Sequence, residues 1–474
     1  MSRSKYDYDL IVIGGGYGGL VSSKLAAGFG KKVLLVEKNK IGDESCFAGW
    51  ISSKALVRAG RAFHDIKKLQ RFGINGSGKY DISNAASYVK SVINKVAKVH
   101  ESDASEIKTK FGLSEFVDNH TIKINGKNIT AKKFIIATGS SPLLPELEGL
   151  DKIKYLTNNT FYEQKKLPSS LIILGGCSIG IEFAQALTRL GIKTTLVERN
   201  ERILVKHDKE LVFILQERLK KEGLKILLES KVVKVEKSNT KINLILEGAD
   251  ETRQKINADA LFIITERSPN TEGLCLEKAG VIYNNRAIVV DEYLKTTAPN
   301  IYACGDVIGP YQFSYMTEYQ AVIAATNVCL PFTKKADYSN VLCVTFSDPE
   351  FAHAGLTEEQ ARDKYGEKIK IYKYEYNRLD RAIIDSAEEG AAKFIIDKKG
   401  NLLGAHILGH NAGDIIHEVQ MLKSMKMKFA DIKNIIHAYP TYSGIIHNMG
   451  KRVYMDVQRR NPIVKLLKRF KNIK

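Results

Sequence analysis

The chain has 474 residues, 44% of them hydrophobic, with 36 glycines and a formal net charge of +19 from 72 Lys+Arg against 53 Asp+Glu. That length exceeds one hydrophobic core and implies two or three α/β domains. Six cysteines (46, 177, 275, 304, 329, 343) are scattered without C-x-x-C spacing, which argues against zinc and against a secreted disulfide scaffold, and for a reducing compartment.

No apolar run reaches the roughly 18 residues of a membrane span. The start, Met1 to Asp7, leads directly into a strand without a secretory signal, so a cytoplasmic protein is expected. The lysines are spread along the chain and no nucleic-acid module appears, so no nucleic-acid partner is expected.

Residues 9–13 form a short apolar run of the kind a buried parallel strand shows. Gly14-Gly-Gly16-Tyr-Gly-Gly19 follows at once, then a helix of small and apolar residues from Leu20 to Phe29. A second strand from Lys32 ends on the acid Glu37. This is the dinucleotide fingerprint in its setting. Gly14 makes the tight turn, Gly16 lets the backbone approach a pyrophosphate, and Gly19 allows close helix–strand packing. The helix N-terminus favours the phosphates, and Glu37 is placed for a ribose hydroxyl.

The next stretch, Gly42 through Cys46, Gly49, Trp50 and Lys54 to Leu56, opens a helix. Residues 57–110 read as two helices with a polar break near Gly73–Tyr80. A small strand meander over 115–136, turning at Asn125-Gly126, leads into Thr138-Gly139. A second βαβ unit begins at Ser170. Its turn is Gly175-Gly-Cys177-Ser-Ile-Gly180, with Cys177 in place of the middle glycine, and its second strand ends on Glu198. Two such units mean two Rossmann-like dinucleotide-binding domains. Glu198 favours NAD over NADP, and Arg199 beside it weakens that preference. Asp259 to Asn270 closes the second unit, and Val289 to Asp291 with Ile301 to Val307 returns the chain to the first. From about residue 335, strands at 341–346, 368–375 and 391–408 and a helix at 413–425 make an α+β domain with an antiparallel sheet, suited to assembly.

With these motifs in order, the chain resembles the pyridine nucleotide–disulfide oxidoreductases, on the dihydrolipoamide dehydrogenase and mercuric reductase-like branch, over roughly residues 7–455. Tyr311 to Ala321, Ser347 to Glu358 and His437 to Gly444 add to the match. The resemblance implies an FAD-binding domain in two parts (1–150 and 281–335), an NAD(P)-binding domain inserted between them (151–280) and a C-terminal α+β dimerisation domain (336–455). It also implies a homodimer carrying FAD and NAD, NADH being favoured over NADPH. Position by position, Gly14, Gly16, Gly19 and Glu37 hold the ADP half of FAD. Thr138 and Gly139 pass near the cofactor, and Asp306 bonds its ribityl chain. Gly175, Gly180 and Glu198 hold the nicotinamide dinucleotide. Lys54 and Glu182 match the pair beside the flavin near N5, where a cation stabilises the charge of the reduced ring.

Four departures stand out. Laid on without a gap, the family's two redox cysteines fall on Ser45 and Trp50, and Cys46 is one position late, where a helix would turn it about 100° away. The acid–base histidine position is Tyr439, and its supporting glutamate is Gly444, which leaves no motif His–Glu pair. Glu266 stands where the family has glycine before Arg267, and Cys177 stands in the second turn. The retained parts accept a hydride into FAD, and the lost parts pass electrons to a disulfide. The expected activity is an FAD-dependent NAD(P)H oxidoreductase serving a small acceptor such as a quinone, with Trp50 against one flavin face. The alternative is a flavin-binding relative without turnover, acting as redox sensor or binding partner. The tail, 461–474, reads as a short basic amphipathic helix, suited to peripheral contact with an anionic membrane or to packing on the dimer partner.

Overall fold

A computed structural model describes residues 5–42, 50–74, 82–164, 166–238, 240–460 and 462–471. The chain divides into two compact units, Met1–Leu174 with Val232–Ile245 and Lys255–Asp337, and Gly175–Lys231 with Leu246–Gln254 and Tyr338–Lys474.

In the first unit, β1 (Tyr8–Ile13) lies parallel to β2 (Val33–Glu37) on one side and to the long strand Lys127–Ile136 on the other. β2 pairs in turn with β3 (Thr109–Phe111). Leu10, Ile11, Val12, Leu34, Leu35, Phe134, Ile135 and Ile136 are buried throughout, so the strands are apolar runs without alternation. Helix α1 (Tyr17–Gly28) packs on the helix Ser314–Cys329, and a Cβ at Gly18 would press on Thr317. The meander is as expected. β4 (Ser114–Asp118), β5 (Thr121–Ile124) and β6, the strand Lys127–Ile136, run antiparallel, with Asn125 and Gly126 as the two turn residues. The expected helix pair is α2 (Trp50–Ile66) and α3 (Ile82–Ala104), which pack on each other. β7 (Ser140–Leu143) pairs antiparallel with Glu266–Pro269, and β8 (Ser170–Leu174) lies parallel to Ala260–Ile263.

The second unit contains α4 (Ser178–Arg189), β9 (Lys193–Val197), α5 (Lys209–Lys221) and β10 (Lys225–Leu227). It also contains a five-stranded antiparallel sheet. Its order is Leu342–Thr345, Glu350–Gly355, Leu402–Gly409, Ala391–Asp397, Ile369–Glu375. The predicted strand at 391–408 is two strands of this sheet, because Lys398 to Asn401 makes a turn held by the Asp397 carboxylate. The predicted helix at 413–425 is observed as Ala412–Ser424.

Arg189 joins α4 to the C-terminal part of this unit. Its guanidinium lies 2.6 Å from Glu222 and 2.6 Å from Asp348, with Arg189 and Glu222 almost fully buried. Burial pushes the Glu222 carboxyl up, but Arg189 and Arg218 outweigh it and hold it below its ordinary value. Removing the cation leaves two carboxylates without their main partner, at about 3 kcal/mol. Arg189→Met is therefore expected to lower the urea midpoint at neutral pH. Because the folded pKa of Glu222 is depressed, the pair's stabilisation is present above about pH 4.3 and fades as pH falls through the folded value. The gap between wild type and variant should narrow in acid, and a gap independent of pH would contradict the assignment.

Candidate functional site

The two predicted dinucleotide turns have nearly the same geometry. Gly14 has φ +110° and Gly175 φ +115°, a region that favours glycine. The amide of Gly14 donates to Val36 O at 2.8 Å and that of Gly175 to Val197 O at 3.0 Å. A Cβ on Gly19 would overlap the carbonyl oxygen of Gly14, and one on Gly180 that of Gly175. Gly15 N–H donates to Glu37 at 2.6 Å, and Gly176 N–H to Glu198 at 2.7 Å. The other oxygen of each acid accepts from the second residue on, Asn39 at 2.7 Å and Asn200 at 2.9 Å. Each acid thus braces its own turn; Glu198 Oε1 also accepts from Asn200 Nδ2 at 2.6 Å, which leaves Oε2 as its better acceptor for a ribose hydroxyl.

The first turn fits a dinucleotide. Among the described residues a Cβ at Gly16 would meet nothing within 4 Å. Among the described residues no side chain caps α1 and no acid stands in its first turn, which suits its positive end to phosphate. At the second turn Cys177 takes the same extended conformation as Gly16, φ −77° against −71°. The substitution costs the backbone nothing. Its thiol, however, faces the N–H groups of Ile179 and Gly180, the donors a pyrophosphate would use.

Thr138 and Gly139 are locked to Asn270. The Thr138 hydroxyl donates to Asn270 O at 2.8 Å, the Asn270 amide donates to Thr138 O at 2.8 Å, and Asn270 N–H donates to Gly139 O at 2.9 Å. Asp306 is engaged within the protein. It accepts from Ser140 Oγ at 2.7 Å and lies 3.7 Å from Arg267, whose Nε donates to the same Ser140 Oγ at 2.7 Å. Glu266, one residue before Arg267, is exposed at the edge strand.

Trp50 is the first residue of α2. Its indole meets Phe313 edge-on with centroids 6.0 Å apart. One turn on, the Lys54 ammonium lies 5.4 Å from the indole centroid and 3.3 Å from Ser53 Oγ. Ser45 and Cys46 fall outside the described residues. Glu182, on α4, is 1% exposed and accepts from Phe346 N–H at 2.9 Å. Tyr439 is 80% exposed in the single chain, and its hydroxyl donates to Asp380 at 2.7 Å, which raises the phenol's pKa.

One histidine–glutamate contact was missed in the sequence. With the motif glutamate replaced by Gly444, no His–Glu pair was expected there. The structure supplies one by another route, since His437 Nε2 lies 2.7 Å from Glu418 on the helix Ala412–Ser424. The Ser140–Arg267–Asp306 network was missed as well. Neither has a local signature, because the partners lie far apart in sequence.

Residues 8–327 match the family model described as pyridine nucleotide-disulphide oxidoreductase, and residues 341–449 match its dimerisation domain. The chain belongs to this family. It is 34% identical over 445 residues to the mercuric reductase of Lysinibacillus sphaericus, covering 92% of this chain and 80% of that protein. It is 33% identical over 446 residues to the dihydrolipoyl dehydrogenase of Thermus scotoductus, covering 92% and 95%. Among solved structures, the HOCl-induced flavoprotein disulfide reductase RclA from Escherichia coli superposes with a TM-score of 0.84 at 27% identity, covering 93% of this chain and 99% of that one. The family uses FAD and NAD(P), and the dimerisation domain supports a homodimer. Among the described residues no helix is long and apolar enough to cross a membrane.

The close approach at the first turn makes a sharp prediction. Gly19→Ala should purify with its flavin absorbance per chain reduced at least about tenfold, because the new methyl forces the helix off the strand. Full flavin content in the variant would contradict this assignment of the first turn.

Proposed function

We propose that this protein is an FAD-dependent NAD(P)H oxidoreductase whose electron acceptor is a small non-disulfide molecule of quinone type. The observation that carries the reading is Trp50. It heads α2 on the position where the family has its second redox cysteine, and its ring is held by Phe313 and Lys54. Ser45 on the first cysteine position agrees with it. An indole and a hydroxyl cannot form a disulfide.

In this reading the FAD-binding part spans 1–150 and 281–335, the NAD(P)-binding part 151–280 and the dimerisation part 336–455. Gly14, Gly16, Gly19 and Glu37 bind the ADP half of FAD, and Gly175, Gly180 and Glu198 bind the nicotinamide dinucleotide. Bound FAD supplies two-electron uptake from NAD(P)H and release to the acceptor. Lys54 places a fixed positive charge where negative charge develops, and Glu182 matches the acid of that family pair. Trp50 excludes an acceptor from one face, so nicotinamide and acceptor use the other in turn. Asp306, already charge-paired with Arg267, offers its remaining lone pairs to the ribityl hydroxyls. Tyr439, directed at Asp380, supplies a phenol rather than an imidazole at the family's acid–base position.

A second reading, a flavin-binding redox sensor without turnover, draws support from Cys177 on the donors of the second turn and from Glu266. The two readings separate under anaerobic conditions. On the enzymatic reading, NADH bleaches the yellow protein and a quinone restores its colour. Steady-state kinetics are then ping-pong. Lys54→Met keeps its flavin but is reduced about 100-fold more slowly. Absence of bleaching with both NADH and NADPH would favour the sensor, and a ternary pattern would remove the shared-face arrangement.

The tail adds a peripheral membrane contact to the proposal. Pro462–Lys471 is helical, with Ile463 and Leu466 exposed on one side. Truncation after Arg460 is expected to abolish co-sedimentation with vesicles containing phosphatidylserine, while unchanged binding would exclude the tail.

A further inference from the structure

The second unit holds a cluster of ligating side chains that the proposed electron path does not use. Strand register creates most of it. Cys343 is the cross-strand partner of His353, and His353 is the partner of His406, so the three form a row across three neighbouring strands on one face of the sheet. His207, in the turn just before the α5 N-cap Asp208, lies over this row. Its ring centroid is 4.6 Å from that of His353, and its Nε2 is 3.9 Å from Cys343 Sγ. One ligand atom from each of His207, Cys343 and His353 falls within 4.8 Å of the others.

A second observation points to an ion. His207 is only 5% exposed, yet its best polar contacts are Thr345 Oγ1 at 3.5 Å and the Cys343 sulfur at 3.9 Å. Among the described residues, Nδ1 of His207, of His353 and of His406 has no hydrogen-bond partner. Buried ring nitrogens are rarely left so, and Nδ1 of His353 is open to an ion, while His207 meets Cys343 through its other nitrogen, Nε2. His406 is fixed by its other nitrogen, 2.9 Å from Leu356 O, and stacks on His353 with centroids 5.4 Å apart. It thereby orients the His353 ring without itself belonging to the set of three.

We propose that His207, Cys343 and His353 bind one d10 transition-metal cation, Zn²⁺ or Cu⁺, with Thr345 or a water as fourth ligand. A thiolate with two imidazoles selects such cations over the oxygen-seeking Mg²⁺ and Ca²⁺. Tetrahedral zinc, about 2.3 Å from sulfur and about 2.0 Å from nitrogen, separates those ligands by about 3.6 Å. The His207–Cys343 distance is already within a few tenths of that. The cation would tie the turn before α5 to the sheet. Thr345 also donates to Ser178 Oγ at 2.7 Å, at the first residue of α4, so the site would steady the second dinucleotide turn too.

The test uses the full chain with its flavin, stripped with a chelator, reloaded with Zn²⁺ or Cu⁺ and dialysed. Elemental analysis is expected to give one equivalent of one of these metals per chain, with a higher thermal midpoint than the stripped protein. X-ray absorption at that metal's edge should show one sulfur and at least two imidazole nitrogens. Cys343→Ser and His353→Gln should each lose the metal and the midpoint shift while keeping flavin absorbance. No retained metal with either cation, a sulfur-free shell in the wild type, or wild-type metal content in Cys343→Ser would overturn the site. The wild-type absorption spectrum decides the matter even if a variant fails to fold.

Discussion

Much of this molecule depends on one steric contact made twice. At Gly19 and at Gly180 there is no room for a methyl group, because the carbonyl oxygen of Gly14 or Gly175 occupies it. The contact draws a helix onto the end of a strand and sets the angle at which the helix starts. The acid at the end of the next strand then reaches back to the turn's own amide, Glu37 to Gly15 and Glu198 to Gly176. A loop that would otherwise need a ligand to shape it is shaped in advance. That pre-organisation lowers the entropy lost when a phosphate is bound.

The two turns then diverge in chemistry. Gly16 presents bare backbone, whereas Cys177 presents a thiol to the N–H groups of its helix. Two acids assigned by the family pattern differ in a similar way. Asp306 is neutralised by Arg267 and bonded by Ser140, while Glu182 is buried against a backbone amide. Charge is placed sparingly and held firmly, as a buried site requires. Lys54 adds an aromatic contact, its ammonium 5.4 Å from the Trp50 indole centroid.

The sequence revealed whatever is local. The two fingerprints, the helix pair expected over 57–110 and the meander around Asn125 are periodic or carry turn residues and appear near where their patterns place them, whereas the expected strand 391–408 is two strands and Glu350–Gly355 was not expected. The interactions between residues on different elements were not legible. His437 finds Glu418, Ser140 finds Arg267 and Asp306, and Arg189 finds both Glu222 and Asp348. The scattered cysteines argued against zinc by their spacing. Spacing along the chain does not show that Cys343 and His353, ten residues apart in sequence, face each other across a strand pair. Function could be read from motifs only as far as the motifs persist. On the ungapped sequence reading the family's cysteine positions fall on Ser45 and Trp50, and from there side-chain chemistry guides the proposal.

The composition of the first unit has a consequence for synthesis on the ribosome. Its inner strand β6 is flanked by β1, made among the first residues, and by Ile301–Ala303, made more than 160 residues after β6. Until that late strand emerges, the edge of β6 at Phe134, Ile135 and Ile136 is an unpaired apolar ribbon. Such an edge invites pairing with another nascent chain. The strand is only three residues long, so it closes the sheet quickly once it arrives. The intervening segment 175–231 belongs to the other unit and can fold meanwhile, so the unit begun first is completed after part of its neighbour.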